Sequence, residues 1–168
     1  MADRFYGAQD GHIVNIVPPI DVTGGVISQA FSMKGASHAT ILLQVGVSAA
    51  ALTGVTVQAG SATAATGTNV ANATAIPFSL FKQETAGAGN DVLGGITAVA
   101  ATGFVPSAND DIFYAIEIDA ADLPQVNYEP LDYLQLVIAN GANSVIASAV
   151  AILSGLRYAG ESNPTATA

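Results

Sequence analysis

Cysteine is absent from this chain, and with it go disulfides, thiolate nucleophiles and cysteine-ligated zinc. Tryptophan is absent too, and aromatic residues make up only 7% of the chain. A concave aromatic platform for sugars therefore has little to be built from. Basic charge is scarce. Four Lys and Arg stand against thirteen Asp and Glu, for a formal net charge of -9. A field of that sign repels phosphate backbones and excludes nucleic acid as a partner. Charge of either sign is thin, at 10% of residues against about 25% in an ordinary soluble domain. Long apolar runs are missing as well. The most apolar stretch, SVIASAVAILSGL at 144–156, falls short of the roughly 20 residues that a bilayer-spanning helix needs. The opening MADRFYGAQD is polar and acidic, unlike a signal peptide. These absences predict a soluble protein made without export and with no membrane partner. So little charge on a chain that is 51% hydrophobic also implies that something else covers part of its surface.

What the chain has in plenty is alternation. In HATILLQVGV, Ala39, Ile41, Leu43, Val45 and Val47 fall on one face, opposite His38, Thr40, Leu42, Gln44 and Gly46. In IFYAIEID, Ile112, Tyr114, Ile116 and Ile118 share a face. In DYLQLVIAN, Leu134, Leu136 and Ile138 alternate with Tyr133, Gln135 and Val137. Shorter strands are expected at 12–17, 26–33, 54–59, 76–81 and 96–105. Turn chemistry separates them at Pro18-Pro19, Gly24-Gly25, 87–91, 106–110 and NGAN at 140–143. SVIASAVAILSGLRY is the strongest helix rival. Its β-branched residues favour a strand, buried on both sides and closed into a hairpin with 132–139 by NGAN. No segment shows a long capped helical period. The expected fold is all-β: a β-sandwich or jelly-roll-like barrel of about eight to nine antiparallel strands, spanning 1–168 as one domain. The low-complexity stretch 59–75 reads as a surface excursion. The polar ends, 1–11 and 159–168, are expected to be mobile arms that order on assembly.

Candidate chemistry is sparse. Asn109, Asp110, Asp111, Glu117, Asp119 and Asp122 cluster within fourteen positions, without the carboxylate spacing of a calcium loop. Solvated strand ends account for them. His12 and His38 are the only histidines, and no third ligand accompanies them. Ser37 beside His38 is not a nucleophile elbow, because neighbours in an extended chain point apart. The Gly-rich 87–95 lacks the Lys-Ser/Thr of a phosphate loop. Asn72-Ala73-Thr74 matches a glycosylation sequon, a pattern that chance often supplies. Arg4, Phe5 and Tyr6 are candidate docking-arm contacts, the alternative being a plain strand end. The expectation is no catalytic residue, no metal and no cofactor. Leu42, Phe81, Phe113 and Val137 lie opposite the expected core and are left over as candidates for an interface.

The blocks PPIDVTGG, FSMKGASHATILLQVGV, IPFSLFKQETAGAGNDVLGG, ATGFVPSANDDIFYAIEIDAADLP and NSVIASAVAILSGLRYAG together resemble tailed-bacteriophage head decoration, or capsid cement, proteins. The resemblance runs over about residues 1–160 and carries no catalytic signature. It implies a non-enzymatic β-rich virion protein, made in the host cytoplasm, that binds the capsid exterior and stabilises it. Its implied partners are the major capsid protein and itself, as a homotrimer at three-fold and quasi-three-fold positions. A tail or baseplate component, or a carbohydrate- or receptor-binding sandwich, are the rival readings.

Overall fold

The alternation in HATILLQVGV becomes a strand at the middle of the larger sheet. In the computed structural model, which describes residues 11–48, 50–64, 67–83, 93–106 and 111–156, Ala39, Ile41, Leu43 and Val45 are buried in the core. Their neighbours His38, Thr40, Leu42 and Gln44 face the other way. The chain runs β1 (His12–Asp21), β2 (Val26–Ile27), β3 (Phe31–Ser32), β4 (His38–Ser48), β5 (Gly54–Gly60), β6 (Thr74–Ile76) and β7 (Phe78–Gln83). It continues with β8 (Thr97–Val99), β9 (Ile112–Asp119), a 3-10 turn at Ala120–Asp122, β10 (Gln125–Val126), β11 (Glu129–Pro130), β12 (Tyr133–Ala139) and β13 (Val145–Ser154).

All strand pairings among the described residues are antiparallel. One sheet has the order β1-β13-β4-β9-β7-β8, and the second has β2-β12-β5-β6, with β3 also on β12. The fold is all-β and sandwich-like. A single core cluster draws on both sheets, with Ile41, Leu43, Tyr114 and Ile116 from one and Val55, Val57, Leu134 and Leu136 from the other. Each such aliphatic side chain contributes roughly 1.5–3 kcal/mol by leaving water. Phe104 bridges the layers. Its backbone pairs with Val55, and its ring meets Phe78 at 6.1 Å and Tyr114 at 5.1 Å. Gly103 delivers it there at φ +79, in a turn closed by its amide on Ala100 O at 2.9 Å.

Several expectations need correction. There are thirteen strands among the described residues, not eight or nine. The segment 26–33 splits because Ser28 interposes its hydroxyl, which accepts the Leu136 amide at 2.8 Å. The segment 76–81 splits at Pro77, which has no N–H to give a ladder, and the chain changes sheet there. The segment 96–105 keeps only Thr97–Val99 as strand, because the turn at Gly103 interrupts it. Pro18 and Pro19 sit inside edge strand β1 and not in a turn, at a place where missing donors blunt the edge. NGAN does not close a hairpin. It carries the chain from β12 in one sheet to β13 in the other. β13 is buried on one face only, through Val145, Ala147, Ala149, Ala151 and Leu153. Val47 leaves the core face because the register shifts between Val145 and Ala147, placing an extra β4 residue opposite Ile146.

Two local devices shape the ends of the molecule. Asp21 ties the NGAN crossover to β1. Its carboxylate accepts bonds from Ser144 Oγ, Thr23 Oγ1 and the amides of Thr23 and Val145. The Ser144 and Thr23 bonds lower its pKa to about 2. The excursion after β5 is held from beneath by Gln135, which is fully buried although its strand neighbours predict a solvent face. Its side-chain oxygen accepts the Val70 amide at 2.8 Å, and its nitrogen donates to Gln58 Oε1 at 2.9 Å and Asn69 Oδ1 at 3.1 Å.

Candidate functional site

Strand registers bring the leftover apolar residues together on the outer face of the six-stranded sheet. Leu42 pairs with Ala115 on one side and Val150 on the other, and Ala115 pairs in turn with Phe81. The row therefore reads Val150, Leu42, Ala115, Phe81. Phe113 lies two residues along β9 from Ala115, on the same face. Ile152 flanks the row on β13, opposite Ile13 on the edge strand, which is 51% exposed. Three of the four residues singled out from sequence, Leu42, Phe81 and Phe113, thus share one surface. Val137 does not. It lies on β12 in the other sheet, beside Gly24, Gly25 and Asn140.

One end of this face is polar, and here the acidic stretch finds partners that the sequence did not reveal. Register places His38 opposite Asp119 and Thr40 opposite Glu117. His38 Nδ1 meets Asp119 Oδ1 at 2.7 Å, and Nε2 meets Glu117 Oε2. Thr40 Oγ1 donates to the same Glu117 oxygen at 2.8 Å. A neutral imidazole offers one N–H and one lone pair. Two carboxylates on its two nitrogens are both satisfied only by imidazolium, which has no lone pair left to act as a base. The arrangement is a charged clamp between β4 and β9. Solvation of strand ends is therefore an incomplete account of Glu117 and Asp119.

Burial of the His38 ring works to lower its pKa. The hydrogen bonds to Asp119 and Glu117, with their negative charge, outweigh that and raise it above the ordinary 6.5. The sign of the stability effect follows. The folded state binds this proton more tightly, so the contribution is complete below about pH 6.5 and fades as pH rises through the higher folded value. The melting temperature of the wild type is expected to fall, relative to that of His38→Gln, between about pH 6 and pH 9. Parallel melting curves for the two across that range would show that the clamp contributes nothing.

The other sequence candidates do not converge. His12 has the parity of core-facing Val14 on β1, so it sits on the opposite side of the sheet from His38. Asp111 adopts φ +55 just before β9, and Asp122 lies in the 3-10 turn. Among the described residues, no three His, Asp or Glu side chains are arranged to hold a metal ion. Asn72 of the sequon donates to Ser61 Oγ at 2.9 Å. Arg4, Phe5, Tyr6, Asn109 and Asp110 lie outside the described residues, as do most of both polar ends and the Gly/Asn loop at 87–91. No helix among the described residues is long and apolar enough to cross a membrane. No family model, curated protein or solved structure matches the chain.

Proposed function

We propose that the protein is a non-enzymatic structural component of a tailed-phage virion, seated on the outside of the head as a cement protein and self-associated as a homotrimer. The observation that carries this reading is the apolar row Val150, Leu42, Ala115 and Phe81, with Phe113 beside it, on the outer face of the six-stranded sheet, where Ala115 is buried and the others are half-buried. A contiguous apolar row on the outer face of a sheet marks an interface. Closed cyclic self-association covers such a face and stops growth at a defined number. The resemblance of the sequence blocks to decoration proteins supplies the virion and the major capsid protein as partner. A rigid two-sheet framework with a chemically quiet surface suits a role in which the protein bears load.

The face is tested by Phe113→Asp, which sets a carboxylate beside the apolar row, at the register position between Gln44 and Gln83, without touching the core. Light scattering of the wild type at micromolar concentration is expected to report three chains, and the variant a single 16.8 kDa chain. A variant that keeps the wild-type mass would rule the face out as the self-interface. The cementing role is tested on virions. Removing the protein is expected to lower their resistance to heat and osmotic shock, and undiminished resistance would contradict it.

A further inference from the structure

A second surface stands at the end of the sandwich where β9 hands over to β12. There β10 and β11 form a small hairpin of their own, with Val126 paired to Glu129 and only Asn127 and Tyr128 between them. Both turn residues have positive φ, 52 for Asn127 and 67 for Tyr128. That is a type I′ turn, whose second position ordinarily goes to glycine because side chains strain the left-handed region. Here the position holds the ring of Tyr128, which is 96% exposed and so rests on no neighbour. Strain kept for a side chain that does nothing for the isolated chain points to a use outside it.

The mounting is firm. The Leu131 amide donates to Pro124 O at 3.0 Å across the base of the hairpin. Leu131 is fully buried and Leu123 packs against the core. A preorganised aromatic tip loses little freedom on binding, which suits an anchor residue. Val126, 39% exposed, adds apolar surface to the same hairpin.

Charge narrows the partner. From Gln83 through Leu156 the chain has no Lys, Arg or His, while the hairpin itself carries Glu129 and Asp122 precedes it by three residues in the sequence. The complementary surface is an apolar pocket with a basic rim. A second copy of this chain is a poor source for it. Its Lys34 is already held by Asp132 at 3.6 Å and lies over the Tyr133 ring. Only three other Lys and Arg exist in the chain. We propose that the 125–130 hairpin is a docking finger whose Tyr128 seats in an apolar pocket, ringed by Lys or Arg, on the shell protein beneath. The identity of that partner rests on the virion reading, and the sheet face is left for self-association.

Binding of the full chain to empty shells assembled from the cognate major capsid protein tests this, with Tyr128→Gly as the variant. Glycine suits the turn, so the variant is expected to melt at or above the wild-type temperature. It is expected to bind shells at least tenfold more weakly, while its mass in solution stays that of the wild type. Wild-type binding is expected to weaken markedly between about 0.05 M and 0.5 M NaCl. Unchanged shell affinity of Tyr128→Gly would overturn the finger while leaving the cement reading intact. Salt-independent binding would overturn the basic rim. Loss of the oligomer in Tyr128→Gly would reassign the finger to self-assembly. Failure of the wild type itself to bind shells would overturn the virion reading, and the assigned partner with it.

Discussion

Gly103→Ala is expected to lower the melting temperature by about 10 °C. Gly103 sits at φ +79, where a side chain alone costs about 1–2 kcal/mol. The greater cost is steric. A Cβ built there lies 2.1 Å from the carbonyl oxygen of Val55 and 2.5 Å from Thr56 Cγ2. Thr56 could turn aside, but the Val55 carbonyl is pinned, because it accepts the Phe104 amide at 3.0 Å. Relief must therefore come from moving the turn, and Phe104 moves with it, out of its contacts with Phe78 and Tyr114. Overpacking of this kind adds about 1–3 kcal/mol. The total, roughly 2–5 kcal/mol, corresponds to about 10 °C at about 2–4 °C per kcal/mol for a chain of this size. Gly67→Ala is the control, since it too has a positive φ, +81, but nothing lies within 4 Å of its added Cβ. If the two variants melted together, the close approach to Val55 would not matter.

Gln135→Leu is expected to cost about 2–4 kcal/mol and to free the excursion that follows β5. Leucine is close in size and apolar, so a simple burial argument predicts little change or a gain. The hydrogen bonds decide otherwise. The variant leaves the buried Val70 amide without its acceptor and takes the shared donor from Gln58 and Asn69. A buried polar group left unpaired costs about 1–3 kcal/mol, and Val70 itself is only 2% exposed. A lower urea midpoint together with fast thermolysin cleavage near Val70 would bear this out. A variant as stable and as resistant as the wild type would show that the excursion holds itself in place.

These two residues show where the sequence is legible and where it is not. The inward faces of β4, β9 and β12 can be read directly, because period-2 alternation has one physical cause: a strand with one side in the core. What alternation cannot carry is context that arrives from far along the chain. Gln135 occupies an outward position and reads as solvated. It is buried because residues 69 and 70 fold over it, and nothing near position 135 announces them. His38 and Glu117 lie 79 residues apart, and their contact exists only because β4 and β9 adopt one register. Turn residues mark where a chain reverses but not which sheet it enters next, so NGAN reads as a hairpin when it is a crossover. Pro77 is different, since its missing donor is visible in the sequence and the break follows from it. Asn127-Tyr128 gives no sequence signal because the second position of its turn lacks the glycine that marks a tight hairpin. The outer-face residues can be found as individuals. Only the lateral order of the strands shows that Leu42, Phe81 and Phe113 are neighbours and that Val137 is not.

The pairing of β1 with β13 sets a schedule for synthesis. His12 lies opposite Leu153, and the edge strand pairs with no other strand among the described residues. At about 5–20 residues per second, a ribosome takes on the order of ten seconds to make what separates them. Throughout that interval Val14, Ile16 and Val17 are made while their burial site is not. β4 is in the same position, because both of its neighbours, β9 and β13, are translated after it. The larger sheet therefore closes only when nearly all of the chain has emerged, and it closes from both sides of β4. The nascent protein spends much of its synthesis as unpaired strands. The prolines at 18 and 19, placed on the first of those strands, are then as useful to the growing chain as to the finished one, because they deny a waiting edge to the copy on the next ribosome.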